Sequence, residues 1–227
     1  MEIKIFPDAR TVAREAAKVI AAEARLAVAA RAKFVLAVSG GKTPWQMLSD
    51  LADESMPWAQ VQMLQVDERL APAGHADRNL TQLRESLAHA PLRSEQIHAM
   101  PVEDPDLSAA AASYARMLTQ LTGTPPVLDL VHLGLGVDGH TASLVPGDPV
   151  LEDTNRDVAL TEIYQQRRRM TLTYPLINRA RKILWVVTGV EKVAMLARLR
   201  AGDVSIPAGR IVSAKALLLA DYAAVGR

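Results

Sequence analysis

Over residues 9–31 the chain is rich in alanine, and Val12, Ala16, Val19, Ile20 and Ala27 recur at helical spacing, with Asp8 placed to cap the first turn. The period then changes. Residues 33–38 form a short apolar run with β-branched members, halted by Ser39, Gly40 and Gly41, and predict a buried strand. Pro44 suits the first turn of a helix over residues 45–52. The alternation returns with a strand at 61–66, a polar loop at 67–77 and a helix at 78–89. A helix at 107–121 precedes a strand at 128–133 and a glycine-rich loop at 134–149. Residues 157–163, 170–173 and 183–187 continue the extended pattern, and a helix is predicted over 190–200.

Strands alternating with helices imply an α/β, Rossmann-like fold: a mostly parallel sheet flanked by helices. With no internal repeat, low-complexity tract or long linker in 227 residues, one domain spanning 1–227 is expected. In such sheets ligands bind beyond the carboxyl ends of the strands, where helix N-termini also point. Four polar segments fall there: residues 39–44, 67–69, 134–140, and Thr188-Gly189 followed by Lys192.

Composition narrows the chemistry. The 26 Lys and Arg against 25 Asp and Glu leave a formal charge of +1, so neither a nucleic-acid binder nor an anionic-membrane binder is expected. The absence of cysteine removes disulfides, thiolate nucleophiles and cysteine metal sites. The N-terminal segment lacks a secretory pattern and no apolar run is long enough to span a bilayer, which predicts a soluble, cytoplasmic protein.

Two phosphate motifs are nearly met. Gly41-Lys42-Thr43 matches the end of a P-loop, but the first glycine, required five positions before Gly41, is Leu36. Residues 134–139 satisfy GxGxxG, yet Pro146 and Gly147 interrupt the long helix a dinucleotide site needs. The remaining reading of Ser39, Gly40 and Gly41 is a turn whose backbone amides approach an anion. Asp138 and His140 share a glycine-flanked loop, an arrangement suited to proton transfer near neutral pH. His132 reads as a hydrogen-bonded core residue, and His75, His89 and His98 as loop or surface residues. Asp67 and Arg69 fall two apart at a strand end and can face one ligand. Arg169 is the member of the 167–169 arginine run best placed to face inward, and Lys192 adds a cation near a helix start. No HExxH spacing and no GxSxG elbow occurs, so neither a metal nor a serine triad is expected.

Taken together, SGGKTP, VDERLAP with Asn79 downstream, HLGLGVDGHTASLVPG and RMTLTYPLINRARKILWVVTGVEKVAML resemble the signature segments of 6-phosphogluconolactonases over nearly the whole chain. The resemblance implies the glucosamine-6-phosphate isomerase/deaminase-like fold, a site free of metal and cofactor, and hydrolysis of 6-phospho-D-glucono-1,5-lactone in the pentose phosphate pathway. It implies that His140 transfers protons and that Asp67 orients substrate or water. Arg69 would face the substrate's polar end, while Ser39, Gly40, Gly41 and Lys192, with Arg169, hold the phosphate and Asp138 positions the catalytic loop. Functional coupling to glucose-6-phosphate dehydrogenase and a monomer or weak homo-oligomer are also expected. Sugar-phosphate deaminases of the same superfamily carry a glutamate five residues after the histidine, where this chain has Val145. Lactonases commonly have phenylalanine at that position and serine where Arg78 precedes Asn79. The alternative of another class is a non-catalytic sugar-phosphate-binding regulator, which would have little use for both Asp67 and His140.

Overall fold

In the computed structural model, which describes residues 1–227 apart from the side chain of Ser213, the Asp8 carboxylate accepts from the Thr11 amide at 2.7 Å and starts helix α1 (Ala9–Arg31). One face of α1 carries Val12, Ala13, Ala16, Ala17, Ile20, Ala21, Ala24 and Ala27, all buried. Their small side chains let the helix lie close to the sheet. Beside it runs α2 (Lys42–Ala52), and the other α-helices are α3 (Asn79–Ser86), α4 (Leu107–Thr122), α5 (Tyr174–Arg179) and α6 (Val193–Arg200).

The strands are β1 (Glu2–Phe6), β2 (Phe34–Val38), β3 (Val61–Gln65), β4 (Asp67–Arg69), β5 (Ile97–His98), β6 (Leu130–Leu133), β7 (Val158–Leu160), β8 (Arg169–Leu172), β9 (Lys182–Val187) and β10 (Ala216–Asp221). Seven form a parallel sheet in the order β1-β10-β9-β6-β2-β3-β5. Strand β2 shows why its sequence is apolar without alternation. Phe34, Leu36 and Val38 pack on the α1 and α2 side, whereas Val35 and Ala37 pack on the opposite side with α4 and the second sheet. Both faces are covered, as a parallel sheet requires.

A second, antiparallel sheet of order β4-β8-β7 corrects the expectation that residues 67–77 are wholly loop. The chain changes sheets at Val66, whose amide donates to Val38 and whose carbonyl accepts from Leu172. Three polar residues, Asp67, Glu68 and Arg69, therefore sit in a strand because β8 supplies its hydrogen bonds, overriding their low strand propensity. The pattern also missed β1, β10, α5 and the two-residue edge strand β5, which takes His98 out of the loops. The helix predicted over 190–200 begins as a 3₁₀ turn at Val190–Lys192 before α6. Among the described residues, no helix is long and apolar enough to cross a membrane.

Candidate active site

Beyond the carboxyl ends of β2 and β6 lies a cavity of about 320 Å³. Ser39, Gly40, Asp67, Arg69, His140, Arg169 and Lys192 all line it. Gly41 lines an adjoining recess with Lys42, Thr43 and Lys192, at the start of α2, where no side chain caps the helix. Asp138 stands behind His140 and not in the cavity wall. Val145 is buried and is not among the residues that line the cavity.

The 134–140 loop closes through the Gly136 amide, which donates to the His140 carbonyl at 2.8 Å. The imidazole then lies directly on Gly136: a methyl group there would come within 2.1 Å of His140 Nδ1. Nδ1 and Asp138 Oδ1 are 2.6 Å apart, and the same oxygen accepts from the His140 amide at 3.1 Å. A carboxylate on Nδ1 selects the tautomer with its proton there, leaving Nε2 with the lone pair of a base. Burial acts to raise the Asp138 pKa, but hydrogen bonds from the His140 amide and ring and from Tyr164 outweigh it and hold the carboxyl below its usual range. Asp138 is thus an anion throughout the neutral range.

Alternation along β4 separates three charges by role. Asp67 and Arg69 face the cavity, while Glu68 turns away and is fully buried. Glu68 accepts from the amides of Asn79 and Leu80 at 2.8 and 2.9 Å, capping α3, and from Gln65 at 2.7 Å. Arg78 Nε lies 3.1 Å from the same carboxylate, and its guanidinium also meets Glu103 and the Ala71 carbonyl. Arg78, standing where serine is common, is therefore a buried tie between α3 and the second sheet. Asn79 returns a hydrogen bond to the Asp67 carbonyl at 2.9 Å. It also explains Gly40, where a methyl group would fall 2.2 Å from Asn79 Oδ1.

The cations are arranged unusually. Arg69 and Arg169 are directly opposite in the β4-β8 register. Like charges so placed repel. Among the described residues, no carboxylate makes an ion pair with Arg69, Arg169 or Lys192. Burial lowers the Arg169 pKa from its ordinary value, with Asp67 acting in the opposite direction and Arg69 adding to the lowering. The cavity contains more positive charge than its single lining carboxylate, Asp67, balances, which suits a small anion.

Three contributors escaped the sequence reading. Ser143 donates to Asp67 Oδ2 at 2.6 Å and links it to Arg169, whose Nη1 lies 3.5 Å from the Ser143 hydroxyl. Tyr164 donates to Asp138 Oδ2 at 3.0 Å, and Gln165 Oε1 accepts from Arg169 at 3.1 Å. Ser143 was visible inside the HTAS segment, but its partner is 76 positions away. Tyr164 and Gln165 belong to a turn with no glycine, asparagine or proline to announce it.

His132 behaves as a core residue with a consequence for stability. It is fully buried, Nδ1 accepts from the Ser39 amide at 3.3 Å, and burial depresses its pKa to about 3. An unfolded imidazole takes a proton near pH 6.5, whereas the folded one resists until about 3. The stabilising preference for neutral His132 is whole above pH 6.5 and is lost progressively as pH falls toward 3. Denaturant titrations between pH 7.5 and 4.5 should show this decline, and His132→Asn, which keeps an acceptor without titrating, should flatten it; an unaltered slope would rule His132 out as its source.

These features describe a doubly covered parallel α/β fold with an anion-accepting cavity and a histidine–aspartate pair at its carboxyl edge. A family profile described as glucosamine-6-phosphate isomerases/6-phosphogluconolactonase matches residues 7–219. The chain is 31% identical over 232 residues to a 6-phosphogluconolactonase of Nostoc sp., covering 99% of this chain and 96% of that one. It superposes with a TM-score of 0.87 on the crystal structure of a 6-phosphogluconolactonase from Thermotoga maritima, at 24% identity and 97% and 98% coverage. A monomeric glucosamine-6-phosphate deaminase gives the same TM-score, 0.87, at 17% identity and 100% and 99% coverage, so the fold is shared across both activities. The chain belongs to the glucosamine-6-phosphate isomerase/6-phosphogluconolactonase family.

Proposed function

We propose that this chain hydrolyses 6-phospho-D-glucono-1,5-lactone to 6-phospho-D-gluconate, the second step of the oxidative pentose phosphate pathway. All of residues 1–227 are read as one cytoplasmic domain serving this site, acting on the lactone that glucose-6-phosphate dehydrogenase supplies. The observation that carries the reading is the opposed Arg69 and Arg169, with Lys192, in the same cavity as a histidine whose Nδ1 is held by Asp138. The cations supply charge for the 6-phosphate, with the amides of Ser39, Gly40 and Gly41 beside them.

His140 Nε2 accepts a proton as water attacks C1, forming a tetrahedral oxyanion. That oxyanion collapses, the bond from C1 to the ring oxygen breaks, and the imidazolium returns its proton to the departing oxygen. Asp138 stabilises the transient imidazolium. Asp67, held by Ser143 and Asn79, orients water or a substrate hydroxyl. No residue in this sequence requires a metal, since an activated ester needs a placed water, a base and donors for the oxyanion.

Val145, where the deaminases of this superfamily carry glutamate, favours lactone over amino sugar. The test is to follow acid release from freshly generated lactone, with glucosamine 6-phosphate assayed in parallel. Ring opening well above the spontaneous rate, unaffected by a chelator, and no ammonia from the amino sugar are expected. Opening no faster than in buffer would end the lactonase reading, and chelator-sensitive turnover restored by metal would end the metal-free mechanism.

A further inference from the structure

Tyr164 and Arg167 pair through both backbone hydrogen bonds, leaving Gln165 and Gln166 as a two-residue turn with φ of 50° and 66°. Both lie in the left-handed region, where a residue bearing a Cβ costs roughly 1 kcal/mol or more. Such strain persists where the surroundings over-determine it, and the turn's neighbours do so. The Tyr164 hydroxyl donates to Asp138 Oδ2 at 3.0 Å, while its ring meets the His140 imidazole edge-on with centroids 5.6 Å apart. The Arg169 guanidinium lies over the same ring, 4.9 Å from its centroid, and Gln165 Oε1 accepts from Arg169 Nη2 at 3.1 Å. One turn therefore touches the histidine, its carboxylate and a guanidinium of the anion site.

We infer that Tyr164 is a positioning residue that tunes His140 through the outer oxygen of Asp138 while its ring holds Arg169 in plane for the substrate. The inference rests on the lactonase reading for its catalytic meaning. The two Asp138 oxygens are divided: Oδ1 serves His140 and Oδ2 serves Tyr164. A phenol donating to Oδ2 draws charge from the carboxylate and weakens the hydrogen bond that Oδ1 accepts from the imidazole. Burial and the adjacent Asp138 raise the Tyr164 pKa, so the phenol remains a donor throughout the working range. The other charged groups around the His140 cavity are Asp67 and Arg69 from β4, Arg169 from β8, and Lys192, with Lys42 and Glu191 in the adjoining recess. None of these makes a hydrogen bond with the Tyr164 hydroxyl.

Tyr164→Phe keeps the ring under Arg169 and deletes the donor to Asp138, together with the acceptor of a long hydrogen bond from Gln165 Nε2 at 3.4 Å. Without the donor, Asp138 holds more charge and accepts the Nδ1 proton more strongly. The Nδ1–H resonance of the His140 ring in the ligand-free protein should then move downfield, as for a shorter, stronger hydrogen bond. The pH profile of kcat/KM for lactone opening should move to higher pH, with KM little changed. Tyr164→Leu removes the platform as well, and should raise KM several-fold beyond any effect on kcat. An unchanged His140 ring resonance in Tyr164→Phe overturns the coupling, and an unchanged KM in Tyr164→Leu overturns the Arg169 role. The NMR measurement needs no substrate, so a wild-type protein without lactonase activity would refute the proposed function while the ring resonance still decides whether Tyr164 tunes His140.

Discussion

His140→Ala should lower kcat for lactone opening by about 10²- to 10⁴-fold, the range general acid–base assistance supplies. The expectation follows from geometry. His140 lines the cavity, its Nδ1 is engaged by Asp138, and Nε2 is left as the base. In the proposed mechanism alanine removes both the acceptor for the water proton and the donor for the ring oxygen, while Arg69, Arg169 and Lys192 remain in the cavity. KM should consequently change far less than kcat, separating chemistry from binding. Asp138→Asn is the companion variant: the amide can no longer stabilise an imidazolium, so kcat should fall while the cavity remains intact. A His140→Ala protein with wild-type kcat would assign proton transfer to another group. Steady-state assays corrected for spontaneous opening, over a range of lactone concentrations, give both constants.

Glu68→Ala should destabilise the fold by about 3–5 kcal/mol, the cost of breaking a buried ion pair on one side. The carboxylate is fully buried and accepts from Gln65 and from the Arg69, Asn79 and Leu80 amides, with Arg78 Nε 3.1 Å away as its ion-pair partner. Truncation leaves two amides at the start of α3 without acceptors. It also leaves the Arg78 guanidinium in a buried position, with Glu103 as its remaining carboxylate. For a protein of this size the loss corresponds to a fall in Tm on the order of 10 °C. Glu68→Gln, retaining one acceptor oxygen but not the charge, should lose less. Chemical denaturation of the three proteins measures the effect, and a difference under 1 kcal/mol between wild type and Glu68→Ala would show that the buried network contributes little to stability.

Glu68 also illustrates where sequence reading stopped. In Asp67-Glu68-Arg69 all three residues were legible as polar groups at a strand end, but period-two alternation can be applied only once the segment is known to be a strand. That knowledge resides in β8, about a hundred positions later, whose backbone pairs Asp67 with Thr171 and Arg69 with Arg169. The central strands β2, β3, β6 and β9 were readable because burial on both faces makes them mostly apolar, with Gln62, Gln65, His132 and Lys182 as the polar exceptions. Strand β1 carries alternating charge at the sheet edge, and β10 lies beyond the last predicted helix, so neither stood out. The cavity residues were largely named in advance, because glycine-flanked polar segments at the ends of apolar strands are local signals. Tyr164 and Gln165 were not, because an ordinary tyrosine and two glutamines acquire their meaning only from neighbours.

By itself the sequence determined the alternation of elements, the loops that carry the chemistry and the family likeness, since each is written in short-range pattern. Tertiary structure alone decided which charges meet. It set Arg69 against Arg169, Ser143 against Asp67, and Tyr164 against Asp138, because hydrogen bonding and Coulomb interaction depend on separations of a few ångströms, which contacts between distant segments create.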